Sequence, residues 1–293
     1  MNVADGFTLR ENHGIPYYSC LAFEKFPWLR HGFSTRRGGA GGLPLNLNPA
    51  AGEDPRRVNE NRLRLLYALG IENAALVCLN QAHSDRVCVV ESAAGFHETP
   101  LSFRLFPSSE GGVGGKQKPG TENHEGDALI TNTENAALAI KTADCFPVLI
   151  VDPVHRAVGA VHSGWRGTLS RVLPGAIEEM RRRFQSDPAR LLFALGPAIR
   201  ECCFETGEDV ARLFTEAYPE KSTARPHPAA PGKYLVNLAS VLKTQLTQSG
   251  VPPENQYDTG MCTCCNTREF FSWRAEGAAA GRMMAVIAVI RVN

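Results

Sequence analysis

The stretch from Thr142 to Thr168 constrains the fold most, because it reads as two short strands joined by a tight turn. Residues 146–151 form an apolar run typical of a strand buried on both faces, and 157–161 form a second run of small apolar residues. The turn between them falls at Asp152. If the strands pair antiparallel, Cys145 at the start of the first and His162 at the end of the second lie side by side.

A thiol and an imidazole placed together in this way have three interpretations. Both side chains could simply be buried in the core, as cysteine often is. They could be the nucleophile and the base of a cysteine hydrolase or transferase, in which the base lowers the pKa of the thiol. They could also be two of three zinc ligands that leave a fourth position open for water or substrate.

The composition indicates an ordinary globular protein and excludes some partners. Of its 293 residues 43% are hydrophobic and 21% charged, with a formal net charge of +1. This balance gives no argument for a nucleic acid or an anionic membrane as partner. No apolar run is long enough to span a bilayer, and the first residues lack the apolar core of a signal peptide. We therefore expect a cytoplasmic protein whose nine cysteines are thiols or metal ligands rather than disulfides.

Periodicity and capping residues predict alternating helices and strands along the rest of the chain. Helices are predicted at 54–69, 169–184, 208–218 and 236–250, and strands at 75–79, 87–90, 126–131, 136–142, 191–195 and 283–292. Asp54 is the expected N-cap of the first helix, and Thr168 is the expected cap of the second.

Two glycine-rich segments interrupt this pattern. Residues 37–44 form a loop whose backbone N–H groups could approach an anion, although the spacing fits neither the P-loop nor the dinucleotide-binding pattern. Residues of about 105–125 are poor in apolar side chains, and we expect them to form a flexible insertion or lid.

The remaining cysteines give a weak metal signal. Cys262 and Cys265 form one C-x2-C pair, and Cys202 and Cys203 are adjacent, but no second spaced pair accompanies them. Free thiols are therefore the preferred interpretation of these residues and of Cys264.

Three motifs together resemble the laccase-domain family, also called multicopper polyphenol oxidases, whose bacterial members are the YfiH-type proteins. The motifs are Gln81-Ala-His83, Thr142-Ala-Asp-Cys145-Phe-Pro-Val and Ala160-Val-His162-Ser-Gly-Trp-Arg-Gly167, and shorter matches extend over nearly the whole chain. Departures from the family pattern are Ala82 in place of the usual Val, Ala275 in place of a second Arg, and the 105–125 segment.

The resemblance implies one α/β (α+β) domain over 1–293, with mixed β-sheets sandwiched between helices in a YfiH-like cysteine hydrolase fold. It also implies a zinc ion bound by His83, Cys145 and His162. His83 lies in a polar loop that by itself predicts no function, so its role as the third ligand comes from the resemblance alone. The implied activity is purine nucleoside phosphorolysis: adenosine, inosine, guanosine or methylthioadenosine and phosphate give the base and a pentose 1-phosphate. Adenosine deamination is the implied side activity of the same catalytic residues.

Two further residues are candidates beside this triad. Phosphorolysis needs cationic or N–H donors around phosphate, and Arg36, next to the glycine-rich loop, is our candidate substrate-binding residue. Asp144 is a candidate hydrogen-bond partner of a metal ligand, or a candidate proton carrier. Either role requires the chain to bend at Asp144, because strand alternation would otherwise point its side chain away from Cys145.

Three other functions are less favoured. A copper oxidase needs a weak axial ligand, often Met, and the Met nearest in sequence to Cys145 and His162 is Met180, inside a predicted helix. A metal-free Cys145/His162 amide hydrolase acting on peptidoglycan precursors is the second alternative. A zinc-stabilised interaction module is the third. It is less favoured because a purely structural zinc site would be expected to have all four positions filled by protein ligands.

Overall fold

The computed structural model describes residues 6–48, 53–91, 106–107, 125–219 and 223–292. The predicted insertion at about 105–125 lies outside the described residues, apart from 106, 107 and 125. The strands are β1 (Phe7–Asn12), β2 (Ile15–Cys20), β3 (Leu29–Ser34), β4 (Ala75–Cys78), β5 (Val87–Val89), β6 (Phe106–Pro107), β7 (Ala128–Thr131), β8 (Ala136–Thr142), β9 (Phe146–Asp152), β10 (Ala157–Ser163), β11 (Leu192–Leu195), β12 (Glu205–Gly207), β13 (Ala224–Pro226), β14 (Lys233–Val236), β15 (Gln256–Asp258) and β16 (Met283–Val289). The α-helices are α1 (Pro55–Ala68), α2 (Trp165–Leu169), α3 (Val172–Phe184), α4 (Glu208–Ala217), α5 (Leu238–Gln248) and α6 (Trp273–Glu276).

These strands form two large mixed sheets and one small antiparallel sheet. The six-stranded sheet has the order β1-β2-β3-β16-β8-β4, and the seven-stranded sheet has the order β15-β11-β9-β10-β7-β5-β6. The third sheet has the order β12-β14-β13. Both large sheets are mixed, because β4 runs parallel to β8 and β5 runs parallel to β7 among antiparallel neighbours.

The two large sheets pack face to face, and helices cover their outer faces. Side chains alternate across a strand, so Leu149 lies in the core between the sheets while Ile150 lies in the core under α3, α4 and α5. In the other sheet, Leu138 faces the shared core and Ala139 faces α1. The prediction of mixed sheets between helices is therefore confirmed, whereas the cysteine hydrolase label stays a prediction.

Capping residues in the sequence predicted one of two helix starts correctly. Asp54 caps α1 as predicted, since its Oδ1 accepts a hydrogen bond from Arg56 N at 3.0 Å. Thr168 is not the cap of the next long helix: it lies inside the short helix α2, and its hydroxyl donates to Gly164 O at 2.9 Å. Arg171, in the left-handed conformation at φ 62°, separates α2 from α3 and makes α3 begin three residues later than predicted.

The central hairpin is formed as predicted and has a defined register. His162 pairs with Pro147 and Ser163 with Phe146, so the start of β9 lies beside the end of β10. Asp152 shapes the turn at the other end by accepting from Val154 N and His155 N. Within the described part of the chain, no helix has the length and apolar character needed to cross a membrane.

Candidate active site

His83, Cys145 and His162 come together at one end of the central hairpin. Their ligand atoms all lie within 4.8 Å of one another, and Cys145 Sγ is 3.8 Å from His83 Nε2. The two imidazole rings meet edge to face with centroids 5.0 Å apart. His83 lies on the connection from β4 to β5, Cys145 between β8 and β9, and His162 on β10. One sulfur and two ring nitrogens at this spacing are a donor set that suits zinc.

Asp127, to which no motif in the sequence assigned a role, contacts two of these three residues. It accepts hydrogen bonds from the backbone N–H groups of Ala82, His83 and Ser84 at 3.3, 3.1 and 2.6 Å. These bonds hold His83 at a positive φ of 58°, a conformation that a non-glycine residue seldom adopts unaided. The same carboxylate lies 2.7 Å from His162 Nδ1. Asp127 thereby fixes the backbone at His83 and orients the imidazole of His162.

The protonation of the triad follows from this arrangement. Burial alone would lower the pKa of His162, but the neighbouring Cys145 and Asp127 raise it to about 9. Burial would raise the pKa of Cys145, but His162 and then His83 lower it to about 6. Without a bound cation, a thiolate–imidazolium pair is therefore the favoured state near neutral pH. The bond from Nδ1 to Asp127 leaves His162 Nε2 as the nitrogen available to a metal or to the thiol.

Asp127→Asn is expected to weaken metal binding or turnover about 10- to 100-fold, the usual contribution of a carboxylate that orients a metal-binding histidine. Both oxygens of Asp127 accept from N–H or O–H groups, so an amide NH2 on either side would face a donor. Competition with a chromophoric chelator measures the metal affinity. Asp152→Asn is the matched control, because Asp152 makes the same type of contact with His155 (2.8 Å) at the far end of the hairpin. Equal metal affinity in the two variants would contradict the role of Asp127.

Gly164 is a second residue whose role could not be read from the sequence. It precedes α2 with φ −78° and ψ 177°, values open to any residue. A Cβ there would lie 2.9 Å from both Cys145 Sγ and His83 Cδ2. The absence of a side chain at Gly164 therefore keeps the triad accessible.

Asp144 lines a cavity together with Cys145, but its carboxylate is bound by the C-terminal part of the chain. The backbone has φ 96°, so the chain does bend here. Oδ1 accepts from Thr263 Oγ1 at 2.7 Å, and Oδ2 accepts from Arg274 N at 2.6 Å. Asp144 therefore connects the chain next to Cys145 with the segment after β15 that includes α6. A proton-carrying role for Asp144 stays a prediction.

Arg36 lies apart from the triad. Its Nη1 donates to Thr267 O at 2.6 Å and to Glu276 Oε1 at 2.8 Å, and its guanidinium stacks on the Phe271 ring at 4.3 Å. Arg36 is not among the described residues that line the cavity. The structure therefore does not bring this candidate phosphate-binding residue to the three metal-binding candidates.

A cavity of about 550 Å³ opens above the triad. Its walls carry three aromatic side chains, three cations and several amides. These residues are Trp165, Phe204, Trp273, Lys141, Arg274, Arg282, Asn48, Asn80 and Gln81. Burial lowers the pKa of the Arg282 guanidinium, whereas the nearby Cys145 and Asp144 favour its charged form. Aromatic faces and clustered cations suit a planar, anion-bearing ligand.

Comparisons with known proteins agree on one group of relatives. The family model described as multi-copper polyphenol oxidoreductase laccase matches residues 30–290. Adenosine deaminase RL5, from an unknown prokaryotic organism, is 33% identical over 254 residues, covering 85% of this chain and 90% of the relative. A purine nucleoside phosphorylase of Deinococcus radiodurans is 34% identical over 264 residues, covering 89% of each. The crystal structure of YlmD from Geobacillus stearothermophilus superposes with a TM-score of 0.80 at 28% identity, covering 98% of this chain and 100% of that one.

Proposed function

Since the chain belongs to the multi-copper polyphenol oxidoreductase laccase family, we propose that it is a zinc-dependent purine nucleoside phosphorylase with adenosine deaminase side activity. The observation that carries the proposal is the group His83, Cys145 and His162, whose ligand atoms lie within 4.8 Å at the base of a cavity lined by aromatic and cationic side chains. The names of the relatives from Deinococcus radiodurans and of RL5 support the same pair of activities.

The three residues fit zinc better than copper. His162 Nε2, His83 Nε2 and the readily ionised thiol of Cys145 are preferred zinc donors, and three protein ligands leave one position for a reactant. A bound zinc ion would supply Lewis acidity and lower the pKa of a water molecule that it holds. An electron-transfer copper site usually adds a weak axial methionine, and no methionine is among the described residues lining the cavity. Copper-dependent phenol oxidation is therefore disfavoured.

The cavity walls supply the contacts that a nucleoside and phosphate require. Trp165, Phe204 and Trp273 offer apolar ring faces for a purine base. Among the described residues, the Arg282 side chain donates only through Nη1, to Ala280 O at 2.6 Å and Gly281 O at 3.0 Å, which leaves Nε and Nη2 for an anion. We assign phosphate binding to Arg282 rather than to Arg36.

The reaction needs few groups besides these contacts. A phosphate oxygen forms a bond to the pentose C1′ while the bond from C1′ to the purine nitrogen breaks. The electron pair moves into the purine ring, which takes up a proton, and the products are the base and a pentose 1-phosphate. Cationic side chains would position the phosphate near C1′, and stacked aromatic rings would hold the base, so that positioning supplies much of the acceleration.

Phosphate-dependent release of the base tests this function. The purified protein, incubated with adenosine or inosine, is expected to release adenine or hypoxanthine together with equal amounts of ribose 1-phosphate, and only when phosphate is present. A chelator should abolish the release and added zinc should restore it. Inosine formed from adenosine without phosphate would report the deaminase activity. Base release that yields free ribose and ignores phosphate would contradict the proposal and indicate a nucleosidase.

A cysteine hydrolase is the second candidate, and one observation favours it. Cys145, His162 and Asp127 are arranged as nucleophile, base and orienting carboxylate, with a depressed thiol pKa. An amide hydrolase of this kind, acting on peptidoglycan precursors, would stay active in chelator and would be inactivated by alkylation of Cys145. Loss of activity on chelation separates the zinc enzyme from this alternative.

A further inference from the structure

Four cysteines that are far apart in sequence meet outside the cavity. The Sγ atoms of Cys202, Cys203, Cys262 and Cys265 all lie within 4.8 Å of one another. Cys265 Sγ is 3.3 Å from Cys203 Sγ and 3.6 Å from Cys202 Sγ. The sequence had offered only one C-x2-C pair and an adjacent pair, which favoured free thiols, and the fold brings both pairs together.

The spacing of these sulfur atoms is that of a tetrahedral thiolate site. Zinc binds thiolate sulfur at about 2.3 Å, and tetrahedral geometry then separates the sulfur atoms by about 3.8 Å. The observed separations of 3.3 and 3.6 Å, with none above 4.8 Å, lie around this value. Four thiolates around one ion leave no position open, which is typical of a structural rather than a catalytic zinc site.

Backbone hydrogen bonds join the two cysteine-bearing loops. Ala198 N donates to Met261 O at 3.2 Å, and Thr263 N donates to Ala198 O at 3.1 Å. Asn266 Nδ2 closes the second loop by donating to Cys262 O at 2.7 Å. Arg200 N points at Cys262 Sγ at 3.5 Å, a contact that stabilises a thiolate. These contacts hold the two loops, and with them the four sulfur atoms, next to one another.

We propose that Cys202, Cys203, Cys262 and Cys265 form a second metal site, which binds one zinc ion as a tetrathiolate. The site joins the loop after Ile199 to the loop after Gly260. Both loops support the wall of the cavity: Arg274 donates to Cys203 O at 2.9 Å and to Glu205 O at 2.8 Å, and Thr263 binds Asp144 at 2.7 Å. The ion stabilises that wall and takes no part in the reaction.

The test counts metal in four versions of the chain, purified with reductant and zinc and analysed by elemental mass spectrometry. The double variant Cys202→Ser/Cys265→Ser removes two exposed ligands and is expected to hold one zinc fewer than the unaltered protein. Cys264→Ser is the matched control, because Cys264 lies between ligands but is not in the group, and it should keep the full complement. His83→Ala should lose only the ion bound by the triad. The metal content of each site is thus measured separately, and a result against the four-cysteine site can be told apart from a result against the proposed function.

Thiol reactivity gives a second readout. Cys202 and Cys265 are exposed, yet we expect both to resist alkylation in the native protein until a chelator is added. Replacement of zinc by cobalt should give thiolate-to-cobalt absorption, most of which the double variant loses and the His83→Ala variant keeps, because the triad supplies one thiolate and this site supplies four. The proposal is overturned if the double variant binds as much zinc as the unaltered protein. It is also overturned if these four thiols react freely in the zinc-supplied protein, or if two of them are found joined in a disulfide under reducing purification.

Discussion

Alanine at His83, Cys145 or His162 is expected to remove one metal equivalent and to reduce base release to the level of a chelated control. Each residue supplies one of three ligand atoms that lie within 4.8 Å of one another, so its loss leaves only two donors. The effect should exceed the about 10- to 100-fold that partners outside the ligand shell contribute. Metal analysis and kcat/KM with adenosine and inosine measure both consequences on the same samples.

His155→Ala is the control for these variants. His155 sits at the opposite end of the same hairpin, where it pairs with Asp152 at 2.8 Å, away from the cavity. It should keep the metal content and turnover of the unaltered protein. Circular dichroism should show the same secondary structure for all four variants. If any one triad variant kept full turnover, that residue would not be part of the proposed metal site.

Gly164→Ala is expected to lower turnover by about 100-fold or more while leaving the fold intact, because displacements near 1 Å at a reacting centre have effects of that size. The new Cβ would lie 2.9 Å from Cys145 Sγ and 2.9 Å from His83 Cδ2, so one or both ligands must move. The backbone at φ −78° accepts alanine without strain, so the thermal midpoint of the metal-free protein should change little. Metal content, kcat/KM and thermal melting together separate a blocked site from an unfolded chain.

Gly175→Ala provides the matched comparison. Gly175 lies inside α3, where an added Cβ would meet Val87 Cγ2 at an ordinary 3.7 Å, and alanine is the better helix former. This variant should be fully active and at least as stable as the unaltered protein. Wild-type activity in Gly164→Ala would mean that the triad tolerates a side chain at its entrance, contrary to the geometry.

The central hairpin and the long helices were predictable because their signals are local. The apolar runs on either side of Asp152 predict the strand pairing that places His162 beside the start of β9. Asp54, as an N-cap residue followed by proline, predicts the start of α1. The position of His83 next to Cys145 followed only from the resemblance to a family, since a polar loop residue has no periodicity that fixes where it goes.

Interactions between distant segments account for what the sequence did not reveal. Asp127 directly precedes β7, and the loop that carries His83 directly precedes β5. Because β5 and β7 pair, Asp127 lies next to that loop, and neither segment alone predicts this pairing. Arg282 reaches the cavity because β16 pairs with β8, which places Met283 opposite Thr142. Arg36, which looked better placed beside a glycine-rich loop, is instead bound by Glu276. Charge and loop composition pointed to Arg36, whereas the arginine that the fold brings to the cavity, and to which we assign phosphate binding, is Arg282.

The metal-binding candidates occupy the seam between the two large sheets. His83 lies where the chain leaves β4 of one sheet for β5 of the other, and Cys145 lies where it crosses from β8 to β9. An ion held there would cross-link the two layers and would bind the native state alone, so its affinity adds to the free energy of unfolding. A cell starved of zinc would then hold a chain that is both idle and more easily degraded, and the abundance of the protein would follow the supply of the metal.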